Sequence, residues 1–373
     1  MQFKGILFSS TAIVMGIAAT MARADDIKIG FAAPLTGPQA YFGTTWLNGV
    51  QLYVEKLNAA GGINGSKVII VPADDKADAR EGTIVAQRFC DDDGIKAVIG
   101  HFNSGITIPT MDIYSGCDLT QITVSTNPQI TELNYPNIIQ PVSNDFAQGK
   151  LSATYAYREL GARNAASIND KQAFGQGVAQ LFDDNFKALG GKISDSVSVD
   201  AKDVDFSSVI TKLKQSKPDV VYFGGVMPQI ALLAKQMHDL GLNAKLLVPD
   251  GAYAPDYVKL AGDPAVGTFV TFQAPPYDST PELQAFADAY KAKYGDKPGP
   301  QSALGWMQMQ VLENAIKATP DLDRAAILKN ARATDMDTVA GHIKINDKGG
   351  IDTGGLYMFR VEKDGFTLVG SDQ

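Results

Sequence analysis

The stretch KAVIGHFNSGITIPTMDI, residues 96–113, decides the fold. Its apolar run Ala97-Val98-Ile99 reads as a buried strand. The run stops at Gly100, and after a turn holding Asn103, Ser104 and Gly105 a helical pattern begins. Pro109 is expected in the first turn of that helix, where a missing N–H costs little. The free N–H groups of a helix start, joined by a serine hydroxyl, make a receptor for a carboxylate or phosphate. The next strand, 121–124, also ends in hydroxyls, in Ser125-Thr126-Asn127-Pro128. Neighbouring parallel strands would bring both sets of hydroxyls to one sheet edge. This is the chemistry of an anion site, with nothing beside it that looks like a nucleophile.

Outward from this stretch, strands and helices alternate. Residues 27–33 read as a strand, and Trp46, Val50, Tyr53, Val54 and Leu57 recur at helical spacing. The strand 67–71 and the helix 79–90 follow. A second alternating block begins after Asn144, with strands at 165–168, 193–199, 219–223, 245–248 and 267–272. Helices are expected at 146–160, 177–189, 206–214, 229–240, 281–294 and 302–319. GHIKIN and LYMFRV near the end read as short strands. Such βα alternation calls for parallel, helix-covered sheets. Two similar blocks can be two lobes of one binding protein or two fused domains.

The N-terminus carries an export pattern. Lys4 precedes an apolar core, and Ala22-Arg23-Ala24 offers a small-x-small cleavage site. Residues 1–24 are therefore expected to be a cleaved signal peptide, leaving 349 of the 373 residues. Loss of Lys4 and Arg23 moves the net charge from −8 to −10. Asp25, not a cysteine, directly follows the cleavage site, so a soluble periplasmic protein is expected rather than a lipid-anchored one. The acidic balance argues against nucleic acid and anionic membrane surfaces as partners. Cys90 and Cys117 end the helices on either side of the 97–99 strand. In an oxidising compartment they either form a disulfide or remain two separate buried thiols.

Enzyme chemistry is poorly represented. No Gly-x-x-x-x-Gly-Lys-Ser/Thr run occurs, and Gln180 stands where a dinucleotide fingerprint needs its third glycine. Ser104 lacks a Gly-x-Ser-x-Gly elbow. His101, His238 and His342 share no metal-ligand spacing with one another or with the cysteines. His101 is read as a hydrogen-bonding partner and His238 as a surface or boundary residue. No cofactor is expected.

IGHFNSG, STNPQIT, the opening IKIGFAAPLTGP and the run LNAAGGINGSKVIIVPADD resemble the leucine/isoleucine/valine-type periplasmic binding proteins of ABC importers. NDKQAFGQG near residue 170 and FGGVMP near 225 extend the resemblance over nearly the whole mature chain. It implies an α/β fold of two Rossmann-like lobes, with parallel sheets and a three-segment hinge. The first lobe would span 25–144, the second 145–273, with a return to the first at 274–350 and a hinge-crossing segment at 351–373.

Carried over residue by residue, the resemblance gives Ser104 the ligand α-carboxylate and Thr126 both carboxylate and ammonium. Val124 would offer a backbone carbonyl to the ammonium, though the strand end is a residue short, so Ser125 shares that candidacy. Asp250, in VPDGAY, would pair with the ammonium from the second lobe; without the resemblance it reads as a turn residue. Phe42, Phe174 and Val226 stand where aromatic, often tyrosine, residues line the cleft. That cleft is less polar, which suits an aliphatic or aromatic ligand side chain. Phe174 is placed in a loop before a helix.

The expected function is an importer receptor that clamps a branched-chain or related amino acid and docks on a membrane permease as a monomer. Rival readings are a receptor for aromatic or other organic acids, short amides or urea, an enzyme on the same layers, and a sensor domain.

Overall fold

The computed structural model describes residues 26–372 except residue 353, so the expected signal peptide lies outside the described residues. The first sheet is built by β1 (Ile27–Ala33), α1 (Ala40–Ala59), β2 (Val68–Asp74), α2 (Ala79–Asp91), β3 (Ile95–Gly100), α3 (Ser104–Ser115), β4 (Thr120–Ile122), α4 (Gln129–Glu132) and β5 (Ile138–Ile139). Its strand order is β2-β1-β3-β4-β5, and every pairing is parallel. β1 and β3 are covered on both faces and so read as continuous apolar runs. Asp78 starts α2 by accepting hydrogen bonds from the N–H groups of Arg80 and Glu81.

The chain then crosses to α5 (Asp145–Arg158), β6 (Asn164–Asn169), α6 (Ala173–Ala188), β7 (Lys192–Ser198), α7 (Ser207–Ser216), β8 (Val220–Gly224), α8 (Gln229–Asp239), β9 (Lys245–Val248), α9 (Pro255–Ala261) and β10 (Phe269–Phe272). A second crossing leads to α10 (Pro281–Tyr294), α11 (Ser302–Lys317), α12 (Arg324–Arg332) and the hairpin β11 (Asp335–Thr338) with β12 (Gly341–Lys344). A third delivers β13 (Tyr357–Glu362) and β14 (Gly365–Ser371) to the second sheet, ordered β14-β13-β10-β9-β8-β6-β7. Only β13 runs against the others there, pairing antiparallel with β10 and β14.

The returning helices rejoin the first lobe's core. Leu304, Met309, Leu312 and Ile316 of α11 cluster with Ile29, Phe31, Trp46 and Ile99. Gly49 permits this approach, because a Cβ there would meet the Ser302 carbonyl oxygen at 2.0 Å. Trp46 Nε1 donates to Gln308 Oε1 at 2.8 Å, so the buried indole N–H is satisfied. The crossings touch one another: Gln140 N donates to Gly349 O at 2.7 Å, and Ser143 Oγ to Gly355 O at 3.4 Å.

Two local expectations are corrected. α3 begins at Ser104, so Pro109 is its sixth residue and lies inside the helix. The N–H lost there is flanked by Thr110 Oγ1, which donates to the Ile106 and Thr107 carbonyls. α6 begins at Ala173, which puts Phe174 in the first turn of a helix rather than in a loop. Cys90 and Cys117 are joined as a disulfide, with Cα atoms 5.7 Å apart. Arg324 binds above the bridge and donates to the carbonyls of Cys90, Asp92, Ile95 and Cys117.

Candidate functional site

In register, Ile99 lies opposite Ile122, and Asn169 opposite Gly224. The loops that leave these strand ends therefore meet in one crevice, where open α/β sheets take their ligands. From the first lobe come Ser104, Val124, Ser125 and Thr126. From the second come Phe174, Val226 and Asp250.

Ser104 is the first residue of α3 and only 1% exposed. Its Oγ accepts from Asn127 N at 3.3 Å, which links the helix start to the end of the neighbouring strand. Ser125 is differently engaged. Its Oγ lies 2.7 Å from Thr107 Oγ1, 3.0 Å from His101 O and 2.9 Å from Phe102 O. Its carbonyl accepts from Gln140 Nε2 at 2.8 Å. Between the two candidates for an ammonium acceptor, this leaves the Val124 carbonyl without a donor among the described residues.

Below these hydroxyls is a buried acidic cluster that sequence reasoning caught only in part. Asp145 N donates to Thr126 O at 2.9 Å, and the Thr126 side chain stands beside the Asp145 carboxyl and favours its charged form. Gln148 Nε2 donates to Asp145 Oδ1 at 2.8 Å and to Asp250 Oδ1 at 3.3 Å. Gln273 Nε2 donates to Asp250 Oδ2 at 2.8 Å. Thr271 Oγ1 and Asp250 N donate to Gln148 Oε1, which fixes the amide's orientation. Asp145 Oδ2 is buried with no partner among the described residues. Burial pushes the Asp250 carboxyl up to about 6, against hydrogen bonds from Gln273 and Gln148 that pull it down. Burial, and then the charge of Asp250, hold Asp145 well above the usual carboxylate range. Neither acid faces a cation among the described residues, a costly state unless a ligand supplies one.

The apolar positions divide. Phe42 is buried, stacks on Phe102 with ring centroids 5.1 Å apart, and joins a second-lobe cluster that includes Met227, Ala254 and Tyr257. It is thus a knob from the first lobe seated in the second. Val226 is half-buried, and its loop is tied to that of Asp250 by Met227 N donating to Gly251 O at 3.1 Å. Phe174 is half-buried against the core under α6.

His101 does act as a hydrogen-bonding partner. Its Nδ1 lies 2.7 Å from Asp75 Oδ2, and its Nε2 lies 3.3 Å from Tyr114 OH, both wholly buried. No substrate reaches that ring. His238 is exposed, and the exposed His342 sits between Asp335 and Asp337. No described helix is long and apolar enough to cross a membrane.

A family profile for the periplasmic binding protein matches residues 26–366. A Brucella abortus protein named Leu/Ile/Val-binding protein homolog 1 is 34% identical over 359 residues, 96% of each chain. A leucine-, isoleucine-, valine-, threonine- and alanine-binding protein of Pseudomonas aeruginosa is 31% identical, over 96% of this chain and 95% of its own. The crystal structure of a leucine binding protein from Thermotoga maritima superposes with a TM-score of 0.87 at 28% identity, covering 92% of this chain and 98% of its own.

Proposed function

This chain belongs to the periplasmic binding protein family, and we propose that it is the receptor of an ABC importer for a branched-chain or related amino acid. It is exported, works as a soluble monomer in the periplasm, holds its ligand between the two lobes and delivers it to a membrane permease. It performs no covalent chemistry. Ser104 and the start of α3 take the α-carboxylate, and Thr126 bridges to the ammonium. The Val124 carbonyl, Asp250 and Asp145 surround the ammonium, while Phe42, Phe174 and Val226 bound the apolar side chain.

The observation that carries this reading is the cation-free acid pair Asp145 and Asp250 set against the hydroxyl-bearing strand ends. The two halves complement the two charges of a zwitterion, which must both be satisfied when closure removes water. An organic acid without an amino group would leave the buried carboxylates facing an anion. Calorimetry with leucine, isoleucine and valine against 4-methylpentanoate and benzoate tests the assignment. Tight binding of an amino acid with little binding of its desamino analogue is the expected result. Preference for the acids would move the protein to the organic-acid reading.

A further inference from the structure

We propose that Asn127 is a closure latch, which sets how long the lobes stay shut without itself contacting the ligand. The proposal rests on the receptor reading above but not on which ligand is carried. Asn127 belongs to the first lobe, directly after Thr126. Its Oδ1 accepts from Gln129 N at 2.9 Å, which pins the side chain in a local turn. The amide group left over points across the crevice, and Nδ2 donates to Ala173 O at the start of α6 at 2.7 Å. The partner surface is shaped for this contact. A Cβ at Gly177, one turn along α6, would come within 2.9 Å of Asn127 Nδ2. Gly177 thus leaves room for the Asn127 amide at the start of α6, and one polar pair joins α6 to the first lobe.

This bond exists only when the lobes meet, and the pinned Oδ1 lowers the entropy lost on forming it. The same residue is coupled to the carboxylate site, because its N–H donates to Ser104 Oγ at 3.3 Å. Opening the lobes breaks the Ala173 bond, so the bond favours the closed form whether or not a ligand is held. The latch therefore acts on dissociation, while capture by the open form does not involve it.

The test uses leucine as probe and stopped-flow kinetics. Asn127→Ala should raise the dissociation rate about two- to tenfold, the range of one neutral hydrogen bond, with the association rate unchanged. Asn127→Asp keeps the turn but sets a carboxylate against the Ala173 carbonyl, and should raise dissociation further. Gly177→Ala should speed dissociation in the natural chain and have no effect once Asn127 is alanine, since nothing then occupies that space. Hydrogen exchange on the ligand-free chain separates this from the ligand assignment: Asn127→Ala should speed exchange at the start of α6 even if leucine does not bind. Unchanged dissociation and exchange, or an equal Gly177→Ala effect in both backgrounds, would overturn the latch.

Discussion

Asp145 and Asp250 share a single donor: Gln148 Nε2 bonds Asp145 Oδ1 at 2.8 Å and Asp250 Oδ1 at 3.3 Å. Two carboxyls in one dry cluster cannot both ionise cheaply, so the first proton leaves Asp250, whose amide donors are two rather than one. The charged form of Asp145 is the less supported of the two, with one amide donor and an unpartnered Oδ2. A single negative charge on the pair would match one ammonium.

That asymmetry predicts unequal mutants. Asp250→Asn should weaken leucine binding by about 2–5 kcal/mol, as for truncating a buried charged pair, and should leave 4-methylpentanoate unharmed. Asp145→Asn retains a donor where the protonated acid had one and should cost less than about 1.5 kcal/mol at neutral pH. Equal losses, read by calorimetry, would mean that both acids ionise in the complex.

Removing the Ser104 hydroxyl tests the opposite end of the ligand. Ser104→Ala should weaken leucine by about 1–3 kcal/mol, the range for hydrogen bonds to charged groups. The unfolding midpoint should move little, because the hydroxyl's one hydrogen bond among the described residues, from Asn127 N, is long at 3.3 Å. Unchanged affinity would remove Ser104 from the site.

The hydroxyl half of the crevice was legible in the sequence because Ser104 and Thr126 lie within four residues of the ends of β3 and β4, so their placement is local. The acidic half was legible only at Asp250. Gln148 lies 102 residues from Asp250 and Gln273 lies 23 away, and only the packing of α5 against β9 and β10 brings them together. Asp145 and Gln148 carry one faint signal, two polar residues three apart at the start of a helix, which ordinary surface helices share. α12 escaped notice because it buries only Ile327 and Ala331, too narrow a stripe to show periodicity. Pro109 misled the boundary of α3 because proline favours a first turn but is tolerated inside a helix when neighbours cover the gap.

The Cys90–Cys117 bridge closes a separation of 27 residues, and a loop of that size stabilises by about 3–4 kcal/mol in the chain-entropy model. The purified protein should show no free thiol after denaturation without reductant. Cys90→Ser with Cys117→Ser should lower the urea unfolding free energy by about that amount. Leucine affinity should hold, because the bridge joins the far ends of α2 and α3 from the crevice. Two reactive thiols per chain would disprove the bridge.

Stability and binding should depend on pH in opposite directions. Burial raises Asp250, Asp170 and Asp183 to about 6, and holds Asp145 well above the usual carboxylate range. An acid raised on folding takes up a proton more readily in the native state than in the unfolded chain. Its contribution to stability is therefore full below the unfolded value near 4 and is lost as pH climbs through about 6. Ligand-free protein should melt at a lower temperature at pH 7.5 than at pH 5. Asp250→Asn should remove about 1.4 kcal/mol of that difference, since the native value of about 6 lies one pKa unit above pH 5. Leucine affinity should instead rise over the same interval, since the ammonium needs Asp250 ionised and a proton competes for it. Calorimetry in two buffers of different ionisation heat should find proton release on binding at pH 5.5 and little at pH 7.5. A pH-independent affinity that also survives Asp250→Asn would leave the carboxyl as a buried structural acid and remove the ammonium from this end of the crevice.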